Sequence, residues 1–258
     1  MQDRRHLRSL RRGAAGGGAI HLYGVHAVEA ALHNPRRTIH RLYLTDNAER
    51  RLHAALAARQ MAHERVLPKD LDRRLGPDTV HQGALAETEL LPEPTLGELA
   101  DGANGRPLLV LDQVTDPHNV GAILRSAAVF GSGGLVMTRR HSPPLDGTLA
   151  KSASGALEHV PVALAQNLAR AMAELKEHGV AIIGLDGEAK ERLEATAWPE
   201  RVALILGAEG KGLRQLTRTS CDRLVRISTA GPFASLNVSN AAAIALHWAA
   251  AARLGLRG

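Results

Sequence analysis

Three short polar segments in the second half of this 258-residue chain hold the side chains best suited to chemistry. They are Asp116-Pro-His-Asn119-Val-Gly121 with Arg125 four residues on, Gly207-Ala-Glu209-Gly-Lys-Gly212, and Ser235-Leu-Asn237-Val-Ser239-Asn240. Carboxamides, hydroxyls and one guanidinium can bind and aim a polar ligand, and a glycine such as Gly207 lets backbone approach closely. Glu209 is the only carboxylate in these segments after Asp116. Residues 207–212 lack the four-residue spacing that precedes Gly-Lys-Ser/Thr in a Walker A loop, and no strand-turn-helix carries GxGxxG, so nucleotide hydrolysis and dinucleotide binding lose support. The 13 histidines show neither HxH nor HExxH spacing, which points to surface or core roles and to no metal. Cys221 is the only cysteine, which excludes CxxC zinc or redox sites and a disulfide within the chain. Taken singly, each segment also has a purely structural reading: a turn with an N-cap, a loop capping a helix, and a helix N-terminal cap.

The elements that must position these segments alternate. Strands are expected at 108–111, 135–137, 180–185, 202–206 and 224–227, with helices at 120–130, 166–178, 213–219 and 239–254. The helix over 166–178 carries a core stripe of Leu168, Ala171, Met172 and Leu175. This order implies an α/β fold with a parallel sheet, and ligands bind such sheets beyond the carboxyl ends of the strands, where the three segments fall. The front half reads as a smaller α/β module. Val25, Val28 and Leu32 sit at helical spacing before Asn34-Pro35, followed by a strand at 39–44, helices at 48–62 and 67–75, and a strand at 83–87. Pro92, Pro94, Gly97, Gly102, Gly105 and Pro107 make a breaker-rich connection. The expected organisation is a basic disordered tail (1–18), a first domain (19–91), a linker (92–106) and a second domain (107–258).

Hydrophobic residues make up 45% and charged residues 22%, as in a folded soluble protein. Aromatics are only 2%, too few for the platforms on which many single-strand binders stack bases, so an RRM-like sheet is disfavoured. The formal charge of +6 is uneven: the first 18 residues carry five arginines against Asp3. Such an arm suits a polyphosphate partner through counterion release, with a merely solubilising tail as the alternative. The longest apolar stretch, residues 241–252, is shorter than the roughly 20 residues a bilayer needs, so no membrane span is expected. An Arg-rich start followed by a Gly-rich run does not read as a signal peptide. The single cysteine fits a reducing, cytoplasmic setting.

Together, in this order and spacing, the three segments resemble motifs 1, 2 and 3 of the SpoU/TrmH family of RNA 2′-O-ribose methyltransferases, in the SPOUT superfamily. Leu22-Tyr-Gly-Val-His-Ala-Val-Glu-Ala-Ala-Leu32 and His81-Gln-Gly83 are similar to the L30e-like substrate-binding domain of the RlmB-type branch. The resemblance implies a C-terminal SPOUT α/β domain with a deep trefoil knot, plus a small N-terminal L30e-like α/β domain. It implies S-adenosyl-L-methionine as cofactor, with adenine near Gly207, Ile227 and Leu236. It places the functional polar groups at Asn119, Arg125, Glu209, Ser235 and Asn237. It implies a homodimer, for which the last helix, with Ile244, Trp248 and small alanines, offers a packing face.

The implied reaction is in-line attack of a ribose 2′-oxygen on the sulfonium methyl group, on RNA and most specifically on a guanosine of large-subunit (23S) rRNA. A tRNA ribose methyltransferase and a non-catalytic RNA-binding or ribosome-assembly protein of the same fold are the alternatives. Arg125 follows Asn119 by six residues, so on one helix they point in different directions, with Asn119 at the helix mouth. Always charged, Arg125 suits gripping an RNA phosphate and polarising the hydroxyl better than acting as a base. Two positions depart from the family pattern: Ser228 stands where a proline often follows the motif 3 isoleucine, and Asn240 stands where many members have an aliphatic residue. Asn240 is expected to cap the last helix.

Overall fold

The computed structural model of the chain describes residues 19–231 and 235–255. The basic tail, residues 1–18, lies outside the described residues. Along the chain run β1 (Ile20–Tyr23), α1 (Val25–His33), β2 (Ile39–Leu44), α2 (Asp46–Arg59), β3 (Glu64–Arg65), α3 (Pro68–Leu75), β4 (Ala84–Thr88) and α4 (Leu96–Gly102). Then come β5 (Leu108–Asp112), α5 (Pro117–Val129), β6 (Gly134–Thr138), α6 (Gly147–Ser152), β7 (Val162–Ala165), α7 (Leu168–Glu177) and β8 (Ala181–Leu185). The last elements are β9 (Glu191–Arg192), β10 (Val202–Gly207), α8 (Gln215–Ser220), β11 (Arg223–Arg226) and α9 (Val238–Arg253), with 3-10 turns at Ala156–Glu158 and Leu193–Ala195.

The described residues divide into two compact units, one running up to Pro92 and including Pro144–Glu158, the other made of Glu93–Pro143 and the chain from His159 onward. In the first unit a mainly antiparallel sheet has the order β1-β4-β2-β3, with only β3 running parallel to its neighbour. Residues 144–158 belong to this unit by packing. A Cβ on Gly147 would lie 2.3 Å from the His21 carbonyl oxygen and 2.5 Å from the Tyr23 ring, so only glycine lets α6 lie against β1. Glu158 is buried on the Arg37 guanidinium, Nη2 to Oε1 at 2.6 Å, and accepts from Asn34 Nδ2 at 2.8 Å. Such a pair is strongly destabilising to break, because either charge alone stays buried and uncompensated.

The second unit is built on a seven-stranded sheet in the order β7-β6-β5-β10-β8-β11-β9, with every pair parallel. The parallel sheet expected from the alternation is present. Alternate residues of the central strands separate its two faces. Leu108 and Val110 of β5 join Leu99 of α4 and Leu168, Ala171, Met172 and Leu175 of α7 in one core cluster, which contains no residue of α5 or α9. Those last two helices contact each other instead.

Residues 92–106, expected to be a connection, contain α4. Thr95 Oγ1 accepts from the Glu98 backbone N–H at 3.2 Å, and Glu98 Oε2 accepts from the Thr95 N–H at 2.8 Å, a capping box that starts the helix despite Gly97. Leu99, Ala100 and Ala103 are buried in the second unit's core, and this burial outweighs the weak helix propensity of the two glycines.

Candidate active site

In a parallel sheet all carboxyl ends emerge on one edge, and here the neighbouring strands are in close register. Gly207, the last residue of β10, pairs with Asp112, the last of β5. Gly184 of β8 pairs with both Ile205 of β10 and Leu224 of β11. The loops after β5, β10 and β11 therefore leave the sheet at one level, with β10 and β11 two strand spacings, or about 10 Å, apart.

These loops bring the three polar segments together. Asp116 caps α5, its Oδ1 accepting from the His118 N–H at 2.9 Å, and Pro117 at the first position needs no N–H. That cap places Asn119 in the first turn. Asn119 Nδ2 donates to Glu209 Oε1 at 3.1 Å, Asn237 Nδ2 donates to Asn119 Oδ1 at 2.9 Å, and Asn237 Nδ2 also donates to Glu209 Oε1. One residue from each segment thus forms a closed polar triad over 118 residues of chain. Glu209 Oε2 makes no hydrogen bond among the described residues and is left to accept a donor from a ligand.

Asn237 has a second task. It is the N-cap of α9, with Oδ1 accepting from the Ser239 N–H at 2.9 Å and from the Ser239 hydroxyl at 2.5 Å. The cap is thus Asn237, and Asn240, expected in that role, is an exposed residue within the helix. The reason is directional: a side-chain acceptor reaches backbone N–H groups two or three residues ahead, and these are free only in the first turn.

The loop carrying Glu209 is pinned at both ends. A Cβ on Gly207 would lie 2.2 Å from the carbonyl carbon and oxygen of Gly212 and 2.5 Å from the Leu213 nitrogen. The close approach that requires glycine is therefore made by the chain's own returning loop. At the far end Asp112, fully buried, accepts from the Arg214 N–H at 3.0 Å and from Arg214 Nε at 2.6 Å. Sequence reasoning missed Asp112. Its signal was a carboxylate ending an otherwise apolar strand, Leu108-Leu-Val-Leu-Asp112, a placement that calls for a partner.

The loop after β11 has its own anchor. Ser228 donates its N–H to Glu194 Oε1 at 3.0 Å and its hydroxyl to Glu194 Oε2 at 2.8 Å, while Arg192 Nε donates to Ser228 Oγ at 2.8 Å. Burial raises the Glu194 carboxyl, but hydrogen bonds from its own backbone N–H and from both Ser228 donors, with Arg192 nearby, outweigh that and hold it below its ordinary value. A proline at 228 would have neither donor. The departure from the family pattern is matched by an acceptor on the neighbouring 3-10 turn.

Of the apolar positions, Ile227 is half-buried and Leu236 is 41% exposed. An apolar side chain left uncovered beside a polar triad suits the face of an adenine, so the residues present fit the cofactor expected from the sequence. Two candidate residues stand apart from the triad. Arg125 is exposed on α5 and makes no hydrogen bond or ion pair among the described residues, and Ser235 is exposed without a hydrogen bond there. Arg125 is six positions beyond Asn119, which turns it about 240° around the helix. No group of three or more potential metal ligands occurs among the described residues.

Comparison with known proteins gives the chain's family. Residues 106–247 match the model of the SpoU rRNA Methylase family, and residues 21–94 match the model described as RNA 2′-O ribose methyltransferase substrate binding. The chain is 44% identical over 230 residues to the 23S rRNA (guanosine-2′-O-)-methyltransferase RlmB of Ralstonia nicotianae, covering 87% of this chain and 92% of that protein. It is 40% identical over 233 residues to the protein of the same name from Pseudomonas syringae pv. tomato, again covering 87% and 92%. Among solved structures, the SpoU methyltransferase AviRb from Streptomyces viridochromogenes in complex with AdoMet superposes with a TM-score of 0.76 at 24% identity, over 98% of this chain and 94% of that one.

Proposed function

The chain belongs to the SpoU rRNA methylase family, and from that premise we propose that it transfers a methyl group from S-adenosylmethionine to the 2′-hydroxyl of a guanosine in 23S ribosomal RNA. The observation that carries this reading is the Asn119–Glu209–Asn237 triad, because it joins the three polar segments at one edge of the sheet and leaves Glu209 Oε2 free.

Bound S-adenosylmethionine supplies a methyl group on a positively charged sulfur, which becomes neutral on transfer. Leu236 and Ile227 provide apolar surface for the adenine, and the loop from Gly207 to Gly212 supplies backbone groups at its edge. Asn119 and Asn237 hold the Glu209 carboxylate by one oxygen, so its other oxygen can accept the hydrogen of the attacking hydroxyl and aim it. Arg125 grips the phosphate beside the target ribose through its planar fork. Ser235, exposed next to Leu236, is the remaining hydroxyl of the site.

Several finer readings rest on the same premise. The second domain carries the deep trefoil knot that the family resemblance implies. The first domain, residues 19–91, is an L30e-like RNA-holding module, and the basic tail adds phosphate contacts. The enzyme works as a homodimer. Arg125 points away from its own triad, and Val129 on the same helix is 77% exposed, so α5 offers both an apolar contact and a guanidinium to a second copy. A cytoplasmic site of action fits the single cysteine, and no helix of the described residues is long and apolar enough to cross a membrane.

The test is transfer of a radiolabelled methyl group to 23S rRNA from cells lacking the gene, followed by mapping of the modified nucleotide. Label on one guanosine ribose is expected. Label on tRNA alone, or no label with RNA still bound, would replace this reading by one of the two alternatives.

A further inference from the structure

A polar cavity opens at the carboxyl edge of the sheet, within the second unit, on the α7 and α8 side. Its volume is about 260 Å³, room for about eight waters at roughly 30 Å³ each. It is lined by Arg140, His141, Arg214, Gln113, Gln166 and Asn167, among others, and no aspartate or glutamate lines it. We infer that this cavity is an anion subsite that holds one phosphodiester of the RNA substrate away from the methylated ribose. The inference rests on the RNA-directed function proposed above.

Four observations carry it. First, the two adjacent arginines of the loop after β6 are used differently. Arg139 donates Nη2 to both carboxylate oxygens of Glu93, at 2.7 and 2.8 Å, and its N–H to the Ala165 carbonyl at 2.8 Å. Arg140 is exposed, and its guanidinium has no partner among the described residues. Second, the loop holds Arg140 in place from behind. Thr138 Oγ1 donates to the Arg140 carbonyl at 2.5 Å, and the loop then turns through His141 at φ 66, a left-handed conformation uncommon for a residue with a side chain. Gln113, another lining residue, is also left-handed at φ 59.

Third, α7 begins at the cavity. Asn167 accepts from the Arg170 N–H at 3.0 Å, and the first-turn N–H groups of Leu168 and Ala169, both lining residues, have no partner inside the helix. The positive end of the helix dipole adds to the unpaired Arg140 guanidinium, while the Arg214 charge is already balanced by Asp112. Fourth, the lining contains no Phe, Tyr or Trp on which a base would stack. A cationic, carboxamide-rich cavity without aromatic rings suits a phosphate better than a nucleobase. One loop connects this cavity to the catalytic triad, because the segment that carries Glu209 ends at Arg214, whose Nε is held by Asp112. An RNA strand could therefore meet both places through a single anchored segment.

The test uses the full chain and Arg140→Gln. RNA affinity is measured by fluorescence anisotropy across a salt series, with 23S rRNA fragments that contain the site methylated by the wild type, or total 23S rRNA if the wild type methylates none. One lost phosphate contact is expected to weaken binding about five- to tenfold near physiological salt and to reduce the slope of log K against log[salt] by about 0.7 to 1. Cofactor affinity by calorimetry and the single-turnover rate at saturating RNA should stay at wild-type values, which separates a remote contact from loss of fold or chemistry. An unchanged RNA affinity and slope would overturn the assignment. So would a variant that loses affinity only for inorganic phosphate, titrated in parallel, since the cavity would then serve a free anion. Failure of the wild type to methylate RNA would remove the proposed function, whereas the subsite is decided by the binding slopes alone.

Discussion

Replacing Asp112 tests whether the loop from Gly207 to Arg214 is preorganised for the cofactor or only packed. The carboxylate is fully buried and accepts two hydrogen bonds from Arg214, one from Nε at 2.6 Å and one from the backbone N–H at 3.0 Å. A hydrogen bond between charged groups contributes about 1.5–3 kcal/mol and an ordinary one about 1 kcal/mol. The Arg214 side chain is 47% exposed, so water recovers part of what it loses, and the charged contribution falls to about 1–2 kcal/mol. Asp112→Ala removes both bonds, for a total of about 2–3 kcal/mol. Asp112→Asn keeps one acceptor and loses about 1–2 kcal/mol. If the cofactor requires the docked loop, that loss appears in its dissociation constant at about 1.4 kcal/mol per decade, giving a rise of roughly 5- to 30-fold for Asp112→Asn and more for Asp112→Ala. Calorimetric titration with S-adenosylmethionine measures the constant, and thermal unfolding without ligand measures stability. A fall in melting temperature with an unchanged dissociation constant would show that Asp112 supports the fold but not the cofactor loop, and would refute the reasoning.

Gly207→Ala places a methyl group 2.2 Å from Gly212 backbone, so the loop must shift; at least a tenfold loss of cofactor affinity is expected, and native-like affinity would contradict the close approach. Ser228→Pro removes two donors to Glu194 and should destabilise by about 1–2 kcal/mol, more than the 0.4–1 kcal/mol a proline restores through the unfolded chain, as denaturant titration would show. Because the folded Glu194 pKa lies below its ordinary 4.5, its contribution is full above that value and is lost as pH falls through the lower folded value. Melting temperatures of the wild type and Glu194→Gln should therefore converge as pH falls below 4.5. Arg125→Lys keeps the charge without the fork, and single-turnover transfer should drop at least tenfold with cofactor affinity unchanged; a near-native rate removes Arg125 from the catalytic groups. Burial pushes the Cys221 thiol up to about 12, so alkylation at pH 8 should be slow in the native protein and fast after unfolding.

The alternation of strands and helices was legible because each element has an apolar period, and the strand at 39–44 matches β2 to the residue. The same logic failed for α4, where Pro92, Pro94 and two glycines masked a capping box whose effect depends on Leu99 and Ala100 finding a core. The sequence also could not place residues 144–158. Their packing on β1 and α1 depends on the absence of a side chain at Gly147 and on Arg37 reaching Glu158 across 121 positions.

For the site, residue types marked three polar segments after apolar strands, each of which also reads as a turn or a helix cap; it was their joint resemblance to the SpoU/TrmH motifs that singled out Asn119, Glu209 and Asn237. Which of them touch was decided by strand register: only when β10 ends level with β5 can Glu209 meet Asn119, and only then is Asp112 buried opposite Arg214. Local sequence carries propensity and period, so it marks strands and exposed polar loops. Pairings between segments 90 or more residues apart are set by how the whole sheet closes, and no local pattern contains them.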